Sequence, residues 1–368
     1  MNLNFTEDQQ QLREAVRKWA ERAYPFTQRR RIVEGGGFDR GIWQALAELG
    51  LTGLTVDVAH GGMGMGAMEA MVALEELGAA LVLEPLEQAL IAAEVLAAGE
   101  AQIAAHWLPR LAAGQAMLAF AWQEPTMRYR SEGFGVHARR EGGQYRLSGT
   151  KTLVPAGDHA DAWLVAAMRD GGSAIFLVER GAPGVQMQGY LTQDGSRAAE
   201  LHFADAPAQC VIAEADAVVS QILLLGAASA CALGVGVMAR TLALTADYLN
   251  QRRQFGVPLA SFQALRHRIA DMQMQLELGR SMSYYAWLKL DAPERRIAVS
   301  RAKYQLCESM RYVGQQAVQL HGGIGMTDAY IGSHYFKRLT QLGLLWGDAH
   351  YHLDVVSAWM NEHASAID

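Results

Sequence analysis

Cysteine is scarce: Cys210, Cys231 and Cys307 are the only three in 368 residues, and they lie far apart. An odd number at that spacing gives no disulfide framework, and no C-x-x-C pair offers metal-ligand spacing. A reducing compartment is the natural setting, and no metal is expected. Excess positive charge is also missing. Lys and Arg number 32 against 38 Asp and Glu, a net charge of −6, so no bulk attraction toward nucleic acid exists. The short run Arg29-Arg30-Arg31 reads as a solvated face. The opening MNLNFTEDQQQLREAV lacks the basic-then-apolar order of a signal peptide. The longest apolar stretch, Ile222 to Met238, is rich in Gly and Ala, is short for a membrane span, and reads as a buried core helix. No internal repeat or low-complexity segment stands out. These absences lead to a cytoplasmic globular chain with no membrane or nucleic-acid partner.

Three textures follow one another along the chain. Thr6 is a good N-cap, and Leu12, Val16, Trp19 and Ala20 recur at helical spacing before the glycines at 35–37. Helices are expected over Arg40–Leu49, after the tight loop His60–Gly66, over Leu86–Ala98 and over Ala101–Ala112. Gly78 and Gly114 stand where helix stops belong. From Met117 to about Val211 short apolar runs alternate with Gly-rich turns, which predicts seven strands: 117–122, 135–139, 145–148, 162–167, 174–178, 184–187 and 200–203. Long amphipathic patterns then cover 216–251, 259–289, 294–319 and 328–343, with a last helix at 349–362. The expected organisation is mainly α with a central β domain: an N-terminal helical domain (1–115), a β-barrel-like middle domain (116–213) and a C-terminal four-helix bundle (214–368). Apolar residues on more than one face of the 216–251 and 305–319 helices predict an oligomer.

Several stretches carry a family likeness. Tyr248-Leu-Asn-Gln-Arg252-Arg-Gln254-Phe255-Gly256, running on to Phe262-Gln263 and Ala270-Asp271-Met272, resembles the central signature of acyl-CoA dehydrogenases. Gln319-Leu-His-Gly322-Gly323-Ile-Gly325 resembles their second signature. Leu147-Ser-Gly149-Thr-Lys151-Thr, Asp161-Ala-Trp-Leu-Val, Leu49-Gly50-Leu and Glu75-Glu76-Leu-Gly78 fit as well, in the expected order over nearly the whole chain. Finer stretches, Tyr190–Glu200, His334–Thr340 and Gly347–Leu353, resemble the small subunits of pimeloyl-CoA dehydrogenase-like members, which work beside a larger homologous subunit.

The resemblance implies FAD-dependent α,β-dehydrogenation of an acyl-CoA thioester, with electron-transfer flavoprotein as the electron acceptor. That reaction needs a carboxylate base, donors that polarise the thioester carbonyl, and a held FAD. Arg252 would aim a planar fork of donors at the FAD pyrophosphate, which suits arginine. Gln254, Phe255, Gln263, Gln319, Gly322 and Gly323 are the other implied cofactor contacts. The glycines lack the Cβ atoms that would keep a phosphate away.

Departures from the pattern bear on the chemistry. Members usually place a glutamate directly before the glycine matching Gly347, and here that residue is Trp346. Others carry the base on the first bundle helix at a position matching about Gly226. Asp348 is the nearest carboxylate, and it is either the base or the N-cap of the last helix. Gln123-Glu124-Pro125 and Leu153-Val154-Pro155 replace the family's hydroxyl-bearing flavin strands. Gln123 is the candidate substitute donor, and Pro155 removes an N–H. Arg128 and Arg130 either meet a carboxylate or phosphate or stand exposed. The Met-rich helices either line a pocket or fill the core. Three readings stay open: a dehydrogenase with its own base; a non-catalytic partner that completes the FAD site of a larger homologous subunit; and a related flavin oxidase or monooxygenase, with a homo-oligomer and a heterotetramer with the larger subunit both open as assemblies.

Overall fold

The computed structural model describes residues 5–363. Helix α1 (Glu7–Ala23) begins as expected. The Thr6 hydroxyl accepts from the Gln9 N–H and the Gln9 side chain accepts from the Thr6 N–H, a reciprocal cap. Pro25 then breaks the pattern, and a separate helix α2 (Phe26–Glu34) runs to the glycines. Helices α3 (Arg40–Glu48), α4 (Ala67–Ala79), α5 (Leu86–Ala97) and α6 (Ala101–Ala112) follow. The loop before α4 is structural: a Cβ at Gly62 would lie 2.1 Å from the Val56 carbonyl oxygen.

The described residues sort into two compact units. One contains Arg30–Ala70 and Leu83–Leu225. Its centre is a seven-stranded sheet, β1 (Leu118–Ala121), β2 (His137–Glu141), β3 (Gln144–Pro155), β4 (Ala162–Arg169), β5 (Gly172–Glu179), β6 (Val185–Leu191) and β7 (Arg197–Ile212). The order β4-β2-β3-β7-β5 returns to β4, so five strands close on themselves, with β1 beside β4 and β6 beside β7. The closed path is the expected barrel-like form. Inward residues such as Val136, Leu147, Trp163, Phe176 and Phe203 fill it.

The other unit gathers the chain up to Arg29, Met71–Val82 and the chain from Gly226 onward. Its helices are α7 (Asp216–Gln251, whose first turns lie in the β-containing unit), α8 (Gln263–Leu288), α9 (Arg295–His321), α10 (Ile331–Leu344) and α11 (Ala349–Glu362). Helix α9 is the hub, with Val299, Ala302, Leu306, Met310 and Val313 buried against α8, α10 and α11. Helix α4 crosses α7 at very short range. A Cβ at Gly236 would stand 1.8 Å from the Glu75 carbonyl oxygen, and one at Gly78 would stand 2.4 Å from that of Leu233. Gly78 is therefore a crossing point inside α4 and not the stop expected from the sequence. Helix α1 is clamped to α4 by Arg13 on Glu75 (2.9 Å) and by Arg17 on both oxygens of Glu76. Burial raises the Glu75 carboxyl to about 7 despite Arg13.

Two surface expectations are corrected. Arg29 is buried, its guanidinium bonded to the Leu81 carbonyl (3.2 Å) and to His334 Nδ1 (3.0 Å), while Arg30 and Arg31 are exposed. Helix α7, offered above as surplus apolar surface, is hidden within the chain itself: 83% of its most apolar window is buried. Exposed apolar residues in this unit include Phe255, Val257, Phe262, Met274 and Leu278 on α8 and the hairpin before it, with Met326 after α9, Leu344 on α10 and Met360 on α11.

Candidate active site

Arg252 follows directly on the last turn of α7, and its N–H bonds the Tyr248 carbonyl (2.8 Å). A two-stranded hairpin follows, β8 (Arg253–Gln254) against β9 (Val257–Pro258). Its two turn residues, Phe255 (φ +52°) and Gly256 (φ +82°), are both left-handed, as a tight hairpin of this twist demands. Phenylalanine is disfavoured there, yet it is 90% exposed at the tip with only an edge contact to Phe262. The Arg252 guanidinium has no hydrogen-bond or ionic partner among the described residues, and Gln254, Gln263 and Gln319 are likewise exposed.

The second signature ends α9. His321 is its last residue, and the chain turns at Gly322 (φ +65°) into a 3-10 turn over Gly322–Met326. Nothing lies within 4 Å of a Cβ built on Gly322 or Gly323, so both glycines present open backbone. The His321 ring packs at 4.6 Å against Tyr248, tilted by 32°, and lies 5.2 Å from Tyr330. Tyr248 is one helical turn before Arg252, so this contact joins the two signatures. His321 Nδ1 donates to the Ala317 carbonyl at 2.8 Å, which leaves Nε2 as an acceptor. Nε2 is buried and has no partner among the described residues, and burial lowers the imidazole's pKa. An unpaired guanidinium and an open glycine turn suit the phosphates of a nucleotide such as FAD, and the orphaned acceptor suits a hydroxyl or amino donor on it.

The turn after α10 holds the positions where a base is expected. Asp348 accepts from the Tyr351 N–H at 2.9 Å and caps α11, and it also lines a groove of about 380 Å³ with Cys307, Phe336 and Leu339. Trp346 (φ +60°) is buried, and its ring lies on Gly226. Two buried side chains that the sequence reading passed over fix this turn. Lys303 Nζ donates to the carbonyls of Leu342 (3.0 Å) and Gly347 (2.9 Å). His352 Nε2 donates to the Trp346 carbonyl (3.0 Å), while Nδ1 accepts from Ser300 (3.2 Å). Burial, aided by the Lys303 ammonium, pushes His352 down to about 3, so it is neutral. Lys303 had a legible signal: it is a lone lysine on the apolar stripe Val299, Ala302, Leu306, Met310.

In the β-containing unit the two altered strands are neighbours, since the Thr152 N–H bonds the Gln123 carbonyl at 2.9 Å. Lys151 is wholly buried and bonded to Glu124 (2.7 Å) and to the Trp122 carbonyl (3.0 Å). Glu124 also accepts from the Gly135 and Val136 N–H groups. The β3–β7 register breaks between Lys151 and Val154, and Leu153 there takes φ +52° with its side chain exposed. Gln123 is half-buried at this edge, and Arg128 and Arg130 are exposed.

Three family models match consecutive parts of the chain: the N-terminal (6–115), middle (119–206) and C-terminal (217–361) domains of acyl-CoA dehydrogenase. The acyl-CoA dehydrogenase FadE27 of Mycobacterium tuberculosis is 32% identical over 325 residues, 85% of this chain and 86% of that one. The probable acyl-CoA dehydrogenase YngJ of Bacillus subtilis is 30% identical over 353 residues, 90% and 92% of the two chains. The solved ChsE4–ChsE5 complex from Mycobacterium tuberculosis superposes with a TM-score of 0.91 at 28% identity, covering 98% of this chain and 99% of its own. With all three domain models matched in order, the chain belongs to the acyl-CoA dehydrogenase family, an oxidoreductase fold of helical, β and helical domains.

Proposed function

We propose that this chain serves FAD-dependent α,β-dehydrogenation of an acyl-CoA thioester as one subunit of an oligomer, completing an FAD site there, with the proton-abstracting carboxylate supplied by a homologous partner chain. The observation that carries the cofactor assignment is the Tyr248–His321 ring contact, which sets the Arg252 hairpin beside the open Gly322–Gly323 turn. Bound FAD would supply the hydride acceptor for the β carbon. Arg252 neutralises the pyrophosphate, the two glycines let backbone approach it, and the Phe255 tip projects from the hairpin toward a neighbouring subunit. Gln254, Gln263 and Gln319 are exposed and add candidate neutral donors, and Gln123 is a further candidate donor.

The reading of a partner chain rests on the turn at 345–348, where one candidate base position is an indole, the other a glycine, and Asp348 is engaged as a cap. The structural relative built of ChsE4 with ChsE5 supports a paired arrangement. The alternative, an autonomous enzyme with Asp348 as base, needs that carboxylate to leave its cap.

Arg252→Ala tests the cofactor assignment. Losing a charge-assisted pair of bonds to phosphate, worth about 1.5–3 kcal/mol, should lower FAD affinity more than tenfold, read from the absorbance of bound flavin after gel filtration. Flavin content equal to wild type would remove Arg252 from the site.

A further inference from the structure

Gly226 and Trp346 are 120 residues apart in sequence and share one space. A Cβ built on Gly226 would fall 2.3 Å from Trp346 Cδ2, 2.6 Å from Cε2 and 2.7 Å from Cε3. The middle of the indole, around the bond shared by its two rings, thus lies directly on the α7 backbone, at a distance no side-chain atom at position 226 could share. The ring is 7% exposed. Its backbone is held left-handed by the His352 bond to the Trp346 carbonyl and by Lys303 on the carbonyls at either end of the turn. A tryptophan kept at positive φ by two buried side chains is a fixed wall and not a loosely placed surface ring.

These are the two positions from which the family's base can come. A base must stand within hydrogen-bond reach of the proton it removes. The α carbon of an acyl thioester, and the first methylenes beyond it, would therefore lie against positions 226 and 346. The geometry points to Trp346, seated on Gly226, as a plug that closes this chain's own acyl site: the chain has no room for the tail of an acyl-CoA, whatever it does with the CoA moiety. This inference rests on the acyl-CoA reading proposed above, and it assigns Trp346 and Gly226 together as the specificity-determining pair.

Calorimetric titration of the purified full chain with CoA and with octanoyl-CoA tests the plug. Wild type should bind octanoyl-CoA no more than twofold better than CoA. Trp346→Ala should gain a preference for octanoyl-CoA of tenfold or more, because methylenes then enter the space left by the indole. Wild type that already prefers octanoyl-CoA tenfold overturns the plug, and so does a folded Trp346→Ala with no new preference. Should that variant not fold, Trp346→Leu is read in the same way, and the wild-type comparison decides by itself. Flavin content is measured on each sample. Wild type devoid of flavin, even when assembled with its partner, would defeat the proposed function, whereas tail-dependent binding by a flavin-bearing wild type defeats only the plug.

Discussion

Replacing Glu75 by Gln should make stability climb more steeply with pH across mild acid. Glu75 has a folded pKa of about 7 against an ordinary 4.5. Between those values the folded chain keeps a proton that the unfolded chain has released, so stability falls as pH rises. His352, in the same unit, runs the other way. Its folded value is about 3 against 6.5, so over that range the unfolded chain holds a proton that the folded chain refuses, and stability rises with pH. From pH 4.5 to 6.5 the two slopes oppose one another and cancel. Glu75→Gln keeps the shape of the side chain and removes its proton, leaving the slope of His352 without the opposing slope of Glu75. The full slope is about 1.4 kcal/mol per pH unit, and partial titration at both ends of the window trims it, so the variant should gain about 2 kcal/mol between pH 4.5 and 6.5 relative to wild type. Urea unfolding followed by far-UV circular dichroism at the two pH values reads this directly. Comparing variant with wild type lets every other titrating group drop out. Parallel pH profiles for the two proteins would refute the account, because Glu75 would then ionise alike in the folded and unfolded chain. His352→Asn should tilt the profile the opposite way.

Asp348→Ala should cost about 1 kcal/mol of stability through the lost cap, while Asp348→Asn keeps a capping oxygen and should leave turnover of the assembled enzyme within about twofold (rates compared at saturating substrate). Abolished turnover in the Asn variant would make Asp348 the base. Phe255→Gly should relieve about 1 kcal/mol of left-handed strain, so the chain's own melting temperature should hold or rise while subunit association, followed by analytical ultracentrifugation, weakens. Association as tight as wild type would show that the hairpin tip is not an interface element.

What was legible in the sequence was what is local. The Thr6–Gln9 cap, the glycines that punctuate the β domain and the 36-residue pattern of α7 are each written within one stretch of chain. Strand β7 was recognised only at 200–203 although it runs Arg197–Ile212, because Ala204–Cys210 alternates small residues that carry little hydrophobic contrast. The split between α1 and α2 was missed because apolar spacing continues across Pro25. Arg29 was misjudged because burial of a cation depends on distant acceptors, here Leu81 and His334. The site divides the same way. Its two signatures are contiguous and could be read, whereas the Tyr248–His321 ring contact, the Trp346–Gly226 contact and the Lys303 bonds span 39 residues or more and follow from packing alone.

The crossing of α4 over α7 also sets an order in time. Helix α4 presents Met71, Val72 and Leu74, all buried in the finished molecule, and its closest packing partners are Leu233 and Gly236. On the ribosome some 160 residues must follow Glu75 before Gly236 appears, roughly 8–32 seconds at about 5–20 residues per second. Through that interval α4 and the α1 that clamps it have no completed seat, and their apolar faces stay open to water or to a chaperone. The intervening β-containing segment, whose strand partners all lie between Leu118 and Ile212, can fold first. Truncation before α7 should therefore leave α1 and α4 as the segments that recruit chaperones, even though in the finished protein they are among the most tightly fitted.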